Sequence, residues 1–341
     1  MKSRVIRTTK RLRYTLFNEN KTRVEKRVKN MSTVLITGGA GFIGSHTVEL
    51  LLKENFYVIV LDNFRSSSKE NLNSILQSSR VSIINGDIRD FSLLKSVMRD
   101  VDAVIHLAAI VSVDEANSFP DLAFQVNANG TLNVLEAMRY CDVERIVYAS
   151  SAAVYGNPIY LPIDEKHPLF PLNPYGASKL AGEALVNAYQ ETYGLKSVVL
   201  RYFNVFGPRM KAGPYAGVVL KFITSALSNK PLIIYGDGKQ VRDFIYVKDV
   251  AMANLIAVKG NVTGVFNIGT GKKTRIIDLA RKIIDLTRSK SEIKFAPARP
   301  GDVRESVANI VKAEKELEWK PNFSLEQGLK NTIRFFSAMR T

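Results

Sequence analysis

Residues 37–46 read Thr-Gly-Gly-Ala-Gly-Phe-Ile-Gly-Ser-His. The run Val34-Leu35-Ile36 before them predicts a strand, and Phe42 to Leu52 after them is apolar at helical spacing through Ile43, Val48, Leu51 and Leu52. Gly38, Gly41 and Gly44 stand three apart. Glycine is required where such a turn is tight, where backbone must approach a pyrophosphate, and where a helix packs closely on a strand. A helix opening at Phe42 and Ile43 offers unpaired N–H groups and a partial positive charge to phosphates. Strand, glycine turn and helix in this order predict a dinucleotide-binding loop.

The next apolar run, Tyr57 to Leu61, ends in Asp62, 18 residues past Gly44. This is close to the spacing of about 20 expected for an acid that accepts the hydroxyls of an adenosine ribose. A carboxylate there repels a 2′-phosphate and favours NAD over NADP. Arg65 nearby is the residue that could receive such a phosphate instead.

Composition sets the bounds. The 341 residues suffice for a large α/β domain with an appended lobe, and a hydrophobic content of 46% is that of a globular protein. No apolar run approaches the roughly 18 residues of a membrane span, so no membrane association is expected. One cysteine, Cys141, excludes an internal disulfide and fits a reducing, cytoplasmic setting. His46, His106 and His167 have no ligand spacing, and no metal is expected. The net charge of +16 is uneven: residues 1–30 carry +9 and the other 311 carry +7. The basic character is mostly a leading stretch, disordered or dispensable, with Met31 as an alternative beginning. No nucleic-acid partner is expected.

After Met31, strand patterns at 33–37, 57–62, 81–84, 103–107, 145–149 and 197–202 alternate with helical ones near 42–54, 68–77, 91–99, 121–140 and 175–193. Such alternation predicts a doubly wound parallel sheet of the Rossmann type, with ligands beyond the strands' carboxyl ends. The expected domains are 31–204 for the nucleotide and 205–335 for a smaller α/β substrate lobe, with part of 233–260 returning to the first. The lobe's elements are expected near 217–229, 233–235 and 274–288.

Asn173-Pro174-Tyr175 is a helix start, with asparagine as cap and proline in the first turn. Lys179 is then the i+4 neighbour of Tyr175 on one face. A free phenol titrates near 10, and lowering it by about three units takes about 4 kcal/mol. A nearby ammonium, the helix N-terminus and a cationic nicotinamide each favour phenolate. Lys179 can also donate to a ribose. Ser150 and Ser151 end the strand that precedes this helix. Either hydroxyl could bond the substrate oxygen whose proton Tyr175 removes.

With these motifs assembled, the chain resembles the extended short-chain dehydrogenase/reductases, in the nucleotide-sugar epimerase and dehydratase branch. The resemblance spans about residues 32–335. It runs through TGGAGFIGSH (37–46), LDNF (61–64), GDIRD (86–90), HLAA (106–109), VNANGT (126–131), SSAAVYG (150–156), YGASK (175–179), RYFNVFGPR (201–209), GDGKQVRDFIYVKDV (236–250) and RPGD (299–302). It implies that Ser151, not Ser150, joins Tyr175 and Lys179 in catalysis. It implies that Asp62, Asn63, Asp87, Ile88, Leu107, Ala108, Ala109, Asn127 and Tyr202 line the NAD. Asn204, Val219, Tyr235, Arg242, Arg299, Asp302 and Ser306 would hold a sugar diphosphate, a role for which arginine forks are chemically suited. Dehydratases of this branch follow the catalytic threonine with an Asp-Glu pair, where this chain has Ala152 and Ala153. The resemblance therefore implies 4-epimerisation of a UDP-sugar through a transient 4-keto sugar. Position 306 lies near the sugar's 2-substituent in the family, and a serine leaves room for an acetamido group. UDP-glucuronate is the alternative substrate. Family members also pair as homodimers through the helices near 121–140 and 174–193. Two other readings compete: a dehydrogenase of the same fold making net NAD(P)H, and a binding scaffold without chemistry.

Overall fold

Apolar side chains that alternate along a strand face opposite sides of its sheet. In β1 (Thr33–Thr37), Val34 and Ile36 join one core while Leu35 joins another. This chain therefore needs cover on both sides of its sheet. The computed structural model describes residues 32–211, 213, 216–298 and 303–339. In it, β1, β2 (Tyr57–Asp62), β3 (Val81–Asn85), β4 (Ala103–His106), β5 (Arg145–Ser151) and β6 (Lys196–Tyr202) pair in parallel in the order β3-β2-β1-β4-β5-β6. The direction of winding reverses between β1 and β4, which opens a crevice at their carboxyl ends. Helices Phe42–Lys53 and Val247–Lys259 pack together on one face. Helices Phe91–Val97, Gly130–Tyr140 and Pro174–Tyr193 cover the other.

Three local readings need correction. A seventh strand, Gly264–Ile268, extends the sheet beside β6. Its five residues include a buried Asn267, so the apolar pattern is too short to announce it. The segment expected to be helical at 68–77 forms a 3₁₀ turn at Lys69–Ile75. The helix expected over 121–140 is broken into Pro120–Phe124, a π turn at Gln125–Asn129, and Gly130–Tyr140. A π turn inserts one residue and re-aims the side chains around it.

Beyond β6 the chain builds smaller pieces against the carboxyl end. Asn204–Phe206 pairs with Phe244–Tyr246, and Leu232–Tyr235 with Ile293–Ala296. Val241–Arg242 lies between Thr274–Arg275 and Glu305–Ser306. Helices Val218–Leu227, Ile276–Thr287 and Leu325–Ala338 close a third core around Phe206, Phe222, Ile283 and Leu329. Residues 1–31 lie outside the described residues. Among the described residues, no helix is long and apolar enough to cross a membrane.

Two histidines hold this framework only when neutral. Thr131 Oγ1 donates to the Asn127 carbonyl at 2.6 Å, so its contact with His106 Nε2 at 3.0 Å requires a proton on that nitrogen. His106 Nδ1 then accepts from Thr37 Oγ1 at 2.6 Å. Burial, and secondarily the charge of Lys179, brings His106 down to about 3. Burial brings His46, bound to the Pro208 carbonyl, down to about 4. Above pH 6.5 folded and unfolded chains both hold these rings neutral, and no penalty arises. As pH falls through 6.5 only the unfolded state takes up protons, until the folded-state values are reached. At pH 5 each ring is expected to cost about 2 kcal/mol relative to pH 7. Urea midpoints at the two pH values check this. His106→Gln should lose about half of the difference.

Candidate active site

The turn after β1 is fixed by sterics. Gly38 has φ +71, and a Cβ there would stand 2.7 Å from the Ala108 backbone nitrogen. A Cβ on Gly44 would stand 2.2 Å from the Gly38 oxygen. Gly41 N donates to that oxygen at 3.1 Å. Gly41 is also the cap of helix Phe42–Lys53 and provides no side-chain cap, and no acid occupies the first turn. The helix N-terminus at the crevice thus keeps its donors and its positive end for an anion. Phe42 and Ile43 pack their side chains against the third core, and Ile43 against the first as well.

Asp62, buried at the end of β2, accepts from Ala40 N at 3.0 Å, Phe64 N at 2.9 Å and Ser67 Oγ at 2.7 Å. A carboxylate offers about four acceptor directions, so one remains unfilled by these donors. Arg65 pairs with Glu115 at 2.7 Å. Asn63 donates to Asp87 at 2.9 Å. The Arg89 guanidinium beside Asp87 holds that carboxyl down to about 2. Ile88 is buried, and Asn133 holds its carbonyl and that of Arg89. Leu107, Ala108 and Ala109 follow β4, with Leu107 N and Ala108 N tied to Thr37. Asn127, in the π turn, is wholly enclosed. Its amide exchanges hydrogen bonds with Ile110 and donates to Ser178 Oγ at 2.9 Å. Its side chain therefore fixes the floor of the crevice to the helix of Tyr175. The Tyr202 side chain is engaged elsewhere: its hydroxyl donates to Asn254 Oδ1 at 2.6 Å inside the core.

The helix Pro174–Tyr193 begins as its sequence dictates, with Asn173 Oδ1 accepting Gly176 N at 2.9 Å, and ends at Gly194 with φ +72. Its first turn presses on the turn after β5, since a Cβ on Gly176 would stand 2.6 Å from the Ala153 oxygen. Tyr175 packs partly buried against Ile110, Ala116 and Ala123. The two serines are separated by their partners. Ser150 is buried and donates to Glu183. Ser151 caps the turn, its hydroxyl accepting from Ala153 N at 3.2 Å. Burial pushes the Tyr175 phenol up, with the Ser151 hydrogen bond opposing. Burial pushes the Lys179 ammonium down to about 7, with Glu183 opposing. Its Nζ sits 4.4 Å from the Tyr148 ring centroid. Among this chain's own groups the phenol thus moves opposite to the expected direction, because burial outweighs the opposing Ser151 hydrogen bond.

On the lobe side, Ser306 and Arg242 are register partners in adjacent strands. Asn204 donates to the Asp243 carbonyl at 3.0 Å, Val219 is buried in the third core, and Tyr235 is 40% exposed at its strand end. Arg299 and Asp302 lie outside the described residues. Three residues went unnoticed in the sequence: Glu183, Arg201 and Asp243. Each is a charge inside an apolar stretch, a signal that marks a buried partner. Asp243 is fully buried and accepts from Thr270, Gly271 and Ala308, joining the strand of Arg242 to that of Ser306 and to the sheet's last strand.

A glycine turn at the switch point, an acid ending β2, and a serine, tyrosine and lysine at the carboxyl end of β5 define a nucleotide-dependent oxidoreductase-type fold, that of the short-chain dehydrogenase/reductases. Residues 35–332 match the family model described as GDP-mannose 4,6 dehydratase, and the chain belongs to this extended family. A putative UDP-glucose 4-epimerase from Methanocaldococcus jannaschii is 43% identical over 304 residues, covering 89% of this chain and 97% of the relative. The UDP-N-acetylglucosamine 4-epimerase of Methanobrevibacter ruminantium, solved with UDP-N-acetylmuramic acid, superposes with a TM-score of 0.87 at 37% identity, covering 91% of this chain and 99% of that one. The Thermus thermophilus UDP-glucose 4-epimerase, solved with NAD, gives 0.83 at 38% identity, covering 89% and 99%.

Proposed function

We propose that this chain holds NAD and interconverts UDP-sugars that differ in configuration at carbon 4. The observation behind this reading is a serine ending β5 at the turn against which the helix of Tyr175 and Lys179 begins, beside an open helix N-terminus and followed by Ala152 and Ala153. When bound, NAD would accept the hydride from carbon 4 and give it back to the opposite face, and its oxidised form would set a positive charge near the phenol. Ser151 holds the 4-hydroxyl, and Tyr175 takes its proton as the 4-keto sugar forms. Lys179 stabilises the phenolate. The same phenol returns the proton after the sugar has turned over about its diphosphate. Alanines at 152 and 153 supply neither acid nor base for eliminating water, which separates this chemistry from the dehydration in the family model's description. Asp62 and the pairing of Arg65 with Glu115 favour NAD over NADP.

Arg242, with Arg299, would hold the diphosphate, and Ser306 would face the sugar's 2-substituent. UDP-glucose and UDP-N-acetylglucosamine, with their galacto epimers, are the substrates so implied. The test is purified protein without added cofactor, given each donor and UDP-glucuronate separately, with products resolved by chromatography and proton NMR. A mixture of 4-epimers is expected. Turnover only with added NAD(P), or release of a 4-keto sugar, would overturn the reading. Ser306→Tyr is expected to lower acetamido-sugar turnover at least about 100-fold while leaving hexose turnover within about threefold, an overpacking effect confined to one substituent.

The protein is further proposed to be a homodimer through the helices near 121–140 and 174–193. Exposed Phe124, Tyr140 and Tyr193 along them support this. A cytoplasmic setting is proposed from its single cysteine.

A further inference from the structure

Behind the site lies a buried charged network that the chemistry above does not use. Glu183 follows Lys179 by four residues and Tyr175 by eight, so all three share one face of the helix. Its carboxylate, 6% exposed, accepts from Arg201 Nη2 at 2.7 Å, from Arg201 Nε at 3.0 Å, and from Ser150 Oγ. Arg201 lies opposite Ser150 in the β5–β6 register. Its Nη1 donates to the Tyr155 hydroxyl at 2.9 Å, which donates to Asn267 Oδ1 at 2.6 Å. Apolar residues of the same volume would serve stability about as well as a buried ion pair does. Stability is therefore a weak reason for placing this one against the last residues of β5.

We infer that Glu183 is a positioning residue for both halves of the site: it anchors Ser150 so that β5 delivers Ser151 to Tyr175, and it sets a negative charge behind Lys179. A carboxylate only accepts, so Ser150 must direct its proton to Glu183 and cannot compete with Ser151 for the sugar. The groups facing Lys179 are Tyr175 and Glu183 from its own helix, neutral His106 from β4, Tyr148 from β5, and Arg201 from β6 behind Glu183. Among these described groups Glu183 supplies the carboxylate. It opposes the burial that drives Lys179 toward neutrality.

The inference rests on the epimerase reading, and two readouts keep them apart. The first is the pH profile of kcat/KM. The second is the titration of the Lys179 Cε resonance in lysine-labelled protein, assigned by its loss in Lys179→Met. Glu183→Gln is expected to move the Lys179 midpoint and the alkaline limb of activity down by about one pH unit. Glu183→Asp should restore the midpoint but not the full kcat, since it keeps the charge and loses reach. Ser150→Ala leaves the ion pair intact and stays informative if Glu183→Gln does not fold. It should lower kcat about tenfold, with KM and the Lys179 midpoint unchanged. An unmoved midpoint in Glu183→Gln, or a wild-type kcat in Ser150→Ala, overturns the inference. Wild-type protein that converts no UDP-sugar overturns the epimerase reading instead, while the Lys179 titration still reports on Glu183.

Discussion

Tyr175→Phe is expected to turn over UDP-sugar about 10³- to 10⁴-fold more slowly than the parent, the loss of a general acid–base group at the reacting oxygen. The ring is retained, and it is the ring that packs against Ile110, Ala116 and Ala123. KM and the unfolding midpoint should therefore stay close to the parent's. Among the described residues, Ser150 is committed to Glu183 and His106 Nδ1 is occupied by Thr37, so neither replaces Tyr175 as the base. Because burial raises the phenol, activity of the parent should climb with pH on its acid side. That climb should vanish from the residual activity of the variant. A kcat within tenfold of the parent would mean that another group is the base.

Lys179→Met is expected to lose activity by a similar factor while gaining stability. A lysine held down to about 7 from 10.5 must be charged in the unfolded chain but is resisted by the fold. At pH 7 that difference costs the folded state on the order of 4 kcal/mol. Methionine has no charge to bury, and its thioether can keep contact with the Tyr148 ring, although the cation–ring attraction of about 1 kcal/mol is lost. The net gain in the nucleotide-free protein should be about 3 kcal/mol. It should shrink as pH rises from 7 toward 10.5, because the parent's penalty fades once the unfolded lysine also loses its proton. Glu183 is not orphaned by the change, since Arg201 and Ser150 remain its partners. Urea unfolding at pH 7 and pH 10 measures both parts. A less stable variant at pH 7 would show that Lys179 is kept for packing rather than for chemistry.

The parallel sheet was legible because β1 to β5 repeat one device, a short apolar run with helix signals before the next strand, and β6 closes the series. The start of the catalytic helix was legible to the residue from Asn173 and Pro174. Residue patterns could not reveal what depends on distant partners. The Gly264–Ile268 strand declares itself only when β6 lies beside it. The break at Gln125–Asn129 follows from Asn127 being drawn to Ile110, a tertiary pull that helix periodicity does not encode. Ser150 and Ser151 are equivalent as neighbours in sequence, and it is Glu183, 33 residues on, that separates them. The direction of the phenol's shift was not legible because desolvation depends on what covers Tyr175, whereas charge can be read from the chain.

The two-residue strand Glu305–Ser306 is held by its backbone: Arg304 and Ser306 give their carbonyls to Val241 and Asp243, and the Asp243 carboxylate clamps Ala308 just beyond. None of these bonds involves the side chain at 306. Mutation can therefore exchange that side chain without the loop having to find a new course. If the proposed role of Ser306 holds, a duplicated copy of this gene could drift toward another sugar by single substitutions there, leaving its nucleotide crevice untouched throughout.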